Sequence, residues 1–196
     1  MSAELRRRCG QLLAVGFEGM AAPPELLARI ARSEVGTALL FRPNVEAPAQ
    51  VAELVRALRG AAPRGLPLLV AVDQEGGAVQ RLRAPLTEWP DMLSVGDARE
   101  PAASRAVGAA LGSELAALGV QWDLAPVLDV HTNSENPVIG RRAFGRTPAD
   151  VTEHALAFWR GLRSAGVLGC GKHFPGHGDT AADSHLTLPR VDHDEV

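Results

Sequence analysis

The chain has 196 residues, 46% of them hydrophobic, and a formal net charge of −3 at pH 7. This suits one domain with a real core, and the interspersed arginines and carboxylates offer no basic face for nucleic acid. No stretch approaches the roughly 20 apolar residues of a membrane span.

Cys9 and Cys170 lack metal-ligand spacing, which favours a reduced, cytoplasmic protein over a disulfide-built one. Near the start, Arg6-Arg7-Arg8 precedes an apolar run that is too short for a signal-peptide core and has no cleavage site. Leu12 to Phe17 is predicted as a first buried strand. Pro24 opens a helix with Leu26, Leu27 and Ile30 on one face and Gly36 as its stop. Thr37 to Phe41 is the second strand. The next helix has Pro48 near its start, Val51, Leu54, Val55 and Leu58 at helical spacing, and Gly60 at its end. Leu66 to Val72 forms a strongly apolar third strand.

Residues 78 to 100 read as irregular, punctuated by Pro85, Pro90 and Gly96. A longer helix runs from Pro101 to Gly119, and Val120 to Leu124 is a fourth strand. Thr147-Pro148-Ala149-Asp150 opens the last helix, which buries Val151, Ala155, Phe158 and Leu162 and ends at Gly166. Val167 to Cys170 is the fifth strand. His154, inside that helix with no partner by spacing, reads as a surface histidine, and His193 among Asp192, Asp194 and Glu195 as a solvated face.

Strand and helix alternate five times, and the strands are continuous apolar runs, as parallel strands covered on both faces are. The closure is either an open doubly wound sheet or a barrel. Glu18, Arg42, Asp73, Asp129 and Lys172-His173 each follow the C-terminal end of a different strand. In a barrel those ends ring one mouth, whereas an open sheet gathers its ligands at one switch point. The expected fold is therefore α/β of the (β/α)8 TIM-barrel type, truncated after about five β/α units, with residues 1–196 as the N-terminal part of one domain.

The polar loops carry the chemistry. Asp73-Gln74-Glu75-Gly76-Gly77 places two carboxylates before a glycine pair, a pattern suited to sugar hydroxyls. Arg81 and Arg142 are planar donors that read, by themselves, as surface residues. Asp129 and His131 are either ligands or buttresses of a strand end. His173 and His177 have the spacing of a helical zinc pair, but Pro175 and Gly176 exclude the helix. A loop metal site from His177, Asp179 and His185 stays open. Asp183 and His185, two apart in extended chain, point the same way. They form either a general acid/base pair or a local bond pinning a loop.

At this point the residues resemble a family. Lys172-His173-Phe174-Pro175-Gly176-His177-Gly178-Asp179-Thr180 with Asp183-Ser184-His185 is similar to the signature of family 3 glycoside hydrolases, in their bacterial β-N-acetylglucosaminidase branch. Ala71-Val72-Asp73-Gln74-Glu75-Gly76-Gly77, Ala125-Pro126-Val127-Leu128-Asp129-Val130 and Ile139-Gly140-Arg141-Arg142-Ala143-Phe144 match its other blocks in order. The resemblance implies that Asp73, Arg81, Arg142, Lys172 and His173 bind a terminal N-acetylglucosamine. His185 would move the proton, tuned by Asp183. The implied activity is retaining hydrolysis of terminal β-linked N-acetylhexosamine from peptidoglycan fragments, in recycling, or from chitin-like oligosaccharides. It needs no metal or organic cofactor and no nucleic-acid or membrane partner.

Two residues depart from the pattern: Ala78, where a basic residue often follows the glycines, and Arg141, where an acidic one often precedes the binding arginine. The family's nucleophilic aspartate lies on a later strand, well past His185, so the expectation is a chain without it. A sugar-binding module without catalysis and a β-glucosidase-type hydrolase are the alternatives.

Overall fold

A computed structural model describes residues 2–191, so the charged cluster around His193 lies outside the described residues. The chain opens with a helix that the hydropathy pattern did not predict, α1 (Ala3–Gln11). Its warrant is local and polar. Ser2 accepts from the Leu5 amide at 3.2 Å, and Glu4 receives Arg8 Nε at 2.9 Å one turn on. The expected first strand consequently shrinks to β1 (Ala14–Val15), with Leu12 and Leu13 exposed in the turn between them.

From there the alternation holds. α2 (Pro24–Ala31) buries Leu26 and Ile30, and it ends before the Gly36 stop, at Arg32. β2 (Thr37–Leu40) and α3 (Pro48–Gly60) follow, α3 burying Val51, Leu54, Val55 and Leu58. β3 (Leu69–Val72) leads into the hairpin of β4 (Gln74–Gly76) and β5 (Val79–Gln80). A short helix, α4 (Met92–Asp97), comes next, capped by Asp91, which accepts from the Ser94 amide at 2.9 Å. The stretch from 78 to 100 is thus irregular only in part, residues 81–91 having no helix or strand and β5 and α4 flanking them. Pro90 lies just ahead of α4, and Gly96 sits inside that helix, where a Cβ would fall 1.8 Å from the Phe144 carbonyl oxygen.

α5 (Pro101–Ala117), β6 (Trp122–Asp123), α6 (Pro148–Ser164) and β7 (Leu168–Gly169) complete the described elements. The sheet order is β1-β2-β3-β6-β7, parallel throughout, with Thr37 opposite Leu69 and Val72 opposite Asp123. Strands that neighbour one another in chain order, with no reversal, are the arrangement of a barrel wall rather than of a doubly wound sheet. The core between sheet and helices is built from Ile30, Leu40, Val51, Leu58, Val70, Val72, Leu111, Leu115, Phe158 and Leu162, among others.

α5 and α6 approach at backbone distance. A Cβ at Gly161 would lie 2.2 Å from the Arg105 carbonyl oxygen, and one at Gly108 2.2 Å from that of Phe158. His154 is on this seam, 3% exposed, with Nδ1 2.7 Å from Ser104 Oγ. The surface reading of His154 is therefore corrected. Among the described residues no helix is long and apolar enough to cross a membrane.

Candidate active site

Parallel strands deliver all their C-terminal ends to one side, and there the polar residues gather. A cavity of about 280 Å³ is lined by Asp73, Glu75, Arg81, Arg142, Lys172, His173, His177, Ser184 and His185, with Val79 and Val138 as its apolar wall. Asp73 follows β3, Glu75 lies in β4, Arg81 follows β5 and Lys172-His173 follow β7. Arg142 ends a single 3₁₀ turn, Gly140–Arg142.

An ion-pair cluster forms the floor. Lys172 Nζ stands 2.6 Å from both Asp73 Oδ1 and Glu75 Oε1. Arg142 forks onto Glu75, Nε and Nη2 each donating at 2.8 Å, and its Nη1 donates to the Val138 carbonyl at 3.0 Å. Glu75 is 1% exposed, and these two cations are the partners that compensate its burial. Burial alone would ease the Arg142 proton off, but the Glu75 carboxylate outweighs it and raises the guanidinium above its ordinary value. Arg81 is held more loosely, Nη2 being 3.5 Å from Asp73 Oδ2, and its buried Nε has no partner among the described residues.

Asp129 turns out to be a buttress. Fully buried in its side chain, it accepts from His173 Nδ1 at 2.6 Å, from the His173 amide at 3.2 Å and from the His177 amide. Burial opposes its ionisation, yet these bonds prevail and hold the carboxyl below the usual aspartate value. With Nδ1 committed, His173 keeps Nε2 for the cavity it lines. His131 donates its amide to the Gly145 carbonyl and does not line the cavity.

The loop from Gly171 to His185 has two regimes. Up to Thr180 it is fastened from below: Asn136 Nδ2 donates to the His177 carbonyl at 2.7 Å and to the Thr180 carbonyl at 2.9 Å. Beyond Thr180 the chain is largely exposed. There the Asp183–His185 pair forms, Asp183 Oδ1 taking both the His185 amide at 2.8 Å and ring Nδ1 at 2.7 Å. Those two bonds hold the Asp183 carboxyl below its ordinary value. His185 is on the cavity rim. His177 Nε2 lies 2.9 Å from Ser184 Oγ, tying the fastened stem to the exposed arm.

The structure therefore brings Asp73, Arg81, Arg142, Lys172, His173 and His185 to one cavity, with Asp183 directly behind His185. Sequence reasoning had paired Glu75 with Asp73 but had not carried it into the binding set, although it is the hub of the cluster. Its spacing from Asp73, two residues in extended chain, was the available signal. His177 and Ser184 were likewise not assigned to the cavity. The loop metal site finds no support, since no group of three or more metal-ligating side chains is arranged to hold an ion among the described residues.

A sequentially ordered parallel sheet with an ion-paired cavity at its strand exits defines a barrel-class α/β domain. The chain belongs to glycosyl hydrolase family 3: residues 4–196 match the model of the family's N-terminal domain. It is 45% identical over 179 residues, 88% of its length, to a beta-hexosaminidase A from Pseudoalteromonas piscicida, of which it covers 30%. The structure of a family 3 beta-N-acetylglucosaminidase from Paenibacillus sp. str. FPU-7 superposes with a TM-score of 0.92 at 41% identity, covering 96% of this chain and 36% of that one. NagZ from Neisseria gonorrhoeae, in complex with N-trifluoroacetyl-D-glucosamine, superposes with a TM-score of 0.82 at 36% identity, over 90% of this chain and 53% of that one. The chain thus spans about a third to a half of the length of these proteins.

Proposed function

We propose that this chain carries the sugar-binding and acid/base part of a β-N-acetylhexosaminidase acting on terminal, non-reducing β-linked N-acetylglucosamine. The observation that carries the reading is the convergence of Asp73, Arg81, Arg142, Lys172 and His173 on one cavity with His185 at its rim. The kinship with beta-hexosaminidases and the N-acetylglucosamine analogue bound to NagZ support the same sugar. Asp73 and Lys172, acceptor and donor 2.6 Å apart, suit adjacent hydroxyls, since a carboxylate can take two hydrogen bonds while an ammonium gives three. His173 and Arg142 would supply further donors.

In this reading the Asp183 carboxylate fixes the His185 tautomer by taking Nδ1–H, and Nε2 is left to exchange a proton with the leaving oxygen. Retaining hydrolysis also needs a nucleophilic carboxylate facing the anomeric carbon. Asp73 and Glu75 do not suit that role, because both are committed to Lys172 and Glu75 also to Arg142. The family resemblance assigns the nucleophile to a later strand. Muropeptides and chitin-like oligosaccharides are the substrates proposed, in a cytoplasmic setting consistent with two free cysteines.

The test is calorimetric titration of the chain with N-acetylglucosamine, alongside an aryl N-acetyl-β-glucosaminide assay. Saturable binding that disappears in Lys172→Met, with little or no turnover, is expected. A wild-type chain that binds no sugar would refute the reading of the cavity. Turnover at roughly 1 s⁻¹ or faster, the range of ordinary enzymes, and lost in Asp183→Ala, would refute the division of the active site.

A further inference from the structure

Three groups that contact the cavity, Asp73, Glu75 and Arg81, lie on a nine-residue segment that makes a hairpin, and that hairpin stands outside the main sheet. A two-stranded ribbon with a register irregularity between Gln74 and Gly76 is a weak platform by itself. Something must fix the mutual positions of its functional groups, because a displacement of about 1 Å in a binding group can cost up to a hundredfold.

Gln74 is placed to do so. It sits between the two carboxylates, so in extended chain its side chain leaves on the opposite face from theirs. It is 1% exposed. Oε1 accepts from the Arg81 amide and the Leu82 amide, both at 3.0 Å, and Nε2 donates to the Leu82 carbonyl at 2.8 Å. One amide group therefore clamps the outgoing strand of the hairpin at the residue that bears the guanidinium. Its own backbone amide donates to Asp123 Oδ1 at 3.0 Å, which pins the same residue to the main sheet at β6. Asp123 is 0% exposed, so this anchor is in the floor of the domain. Gln80 reinforces the far side, Nε2 donating to the Leu82 carbonyl at 2.9 Å and to the Thr87 carbonyl at 2.6 Å.

We infer that Gln74 is the positioning residue of the sugar clamp, locking the Asp73–Glu75 arm to the Arg81 arm and, through Asp123, both to the sheet. It touches no substrate. Its function is to make three cavity groups one rigid unit, and the inference rests on the sugar-binding reading for its functional consequence but not for its geometry.

Gln74→Met keeps the volume and removes all three side-chain bonds, while Gln74→Glu keeps the acceptor for the two amides. Two readouts apply: amide hydrogen exchange, and N-acetylglucosamine affinity by calorimetry. In Gln74→Met the Arg81 and Leu82 amides are expected to exchange roughly tenfold faster or more, while the Val70 and Val72 amides change little. Sugar affinity falls by roughly tenfold or more. Gln74→Glu restores protection at both amides. Unchanged protection at Arg81 and Leu82 in Gln74→Met, or an equal acceleration across the core, would overturn the inference. If the wild type binds no sugar, the functional reading fails and the exchange pattern alone decides the positioning role. Should Gln74→Met not fold, Gln74→Asn, whose amide stops one methylene short, is read by the same two outcomes.

Discussion

Replacing Arg142 by methionine isolates what the ion-pair cluster contributes. The substitution keeps most of the side chain's apolar stem and removes the fork on Glu75, whose side chain is 1% exposed. Breaking a buried pair from one side costs about 3–5 kcal/mol, because the remaining charge is stranded. Here the stranding is partial, since Lys172 Nζ stays 2.6 Å from Glu75 Oε1. The expected loss is therefore about 2–3 kcal/mol. At roughly 2–4 °C per kcal/mol for a domain of this size, the melting midpoint should fall by about 5–10 °C. Thermal and urea melts followed by circular dichroism measure it. The double variant Glu75→Gln/Arg142→Met removes both charges of the fork and should be less destabilised than Arg142→Met. A single-variant cost below about 0.5 kcal/mol, the level of a solvent-exposed pair, would show that Glu75 does not depend on Arg142 as the burial implies.

Asp129, with its carboxyl held low, contributes stability that is complete above its unfolded value near about pH 4. That contribution disappears as pH falls through the lower folded value. The advantage of the wild type over Asp129→Asn, measured by urea melts from pH 7 to pH 3, should shrink on acidification, and a constant advantage would contradict the assignment. Asp123 has the opposite sign: complete burial pushes its carboxyl well above the usual range, the Gln74 amide offsetting this only in part. Asp123→Asn should therefore gain stability relative to the wild type as pH rises above about 4, and a loss at neutral pH would show that the ionised form is needed. On the helix seam, Gly161→Ala should cost about 1–3 kcal/mol by forcing α5 and α6 apart, because its Cβ would meet the Arg105 carbonyl at 2.2 Å. Gly60→Ala, with nothing within 4 Å, serves as the control and should be neutral or slightly stabilising.

Elements with local punctuation were legible in the sequence. Pro48 and Gly60 bound α3, and Thr147 caps α6 at Pro148, as their types require. α1 was not legible, because a serine cap and a Glu4–Arg8 pair stabilise it without an apolar stripe to betray it. Strand lengths were overread: Leu66 to Leu68 continue the hydropathy of β3 but lie outside its ladder, and Leu66 is exposed. The strand-exit positions of Asp73, Lys172 and His173 followed directly from the βα pattern. What the pattern could not give was pairing at long range. Glu75 finds Arg142 at a separation of 67 residues, and His154 finds Ser104 at 50. Asp129 shows the same limit: only the folded loop decides between ligand and buttress, by presenting it with His173 and His177.

The fastening of the Gly171–His185 loop at Thr180 divides it into a held stem and an exposed arm. Asn136 grips the chain on the near side of that point, where Lys172 and His173 face the cavity, while the Asp183-Ser184-His185 arm is held by the Asp183–His185 pair and by Ser184 on His177. Under the proposed function, residence of the sugar and delivery of the proton become separately tunable quantities. Substitutions in the arm that spare Ser184 and His185, which line the cavity, then alter turnover more than affinity, so a lineage could retime its chemistry without redesigning what it recognises.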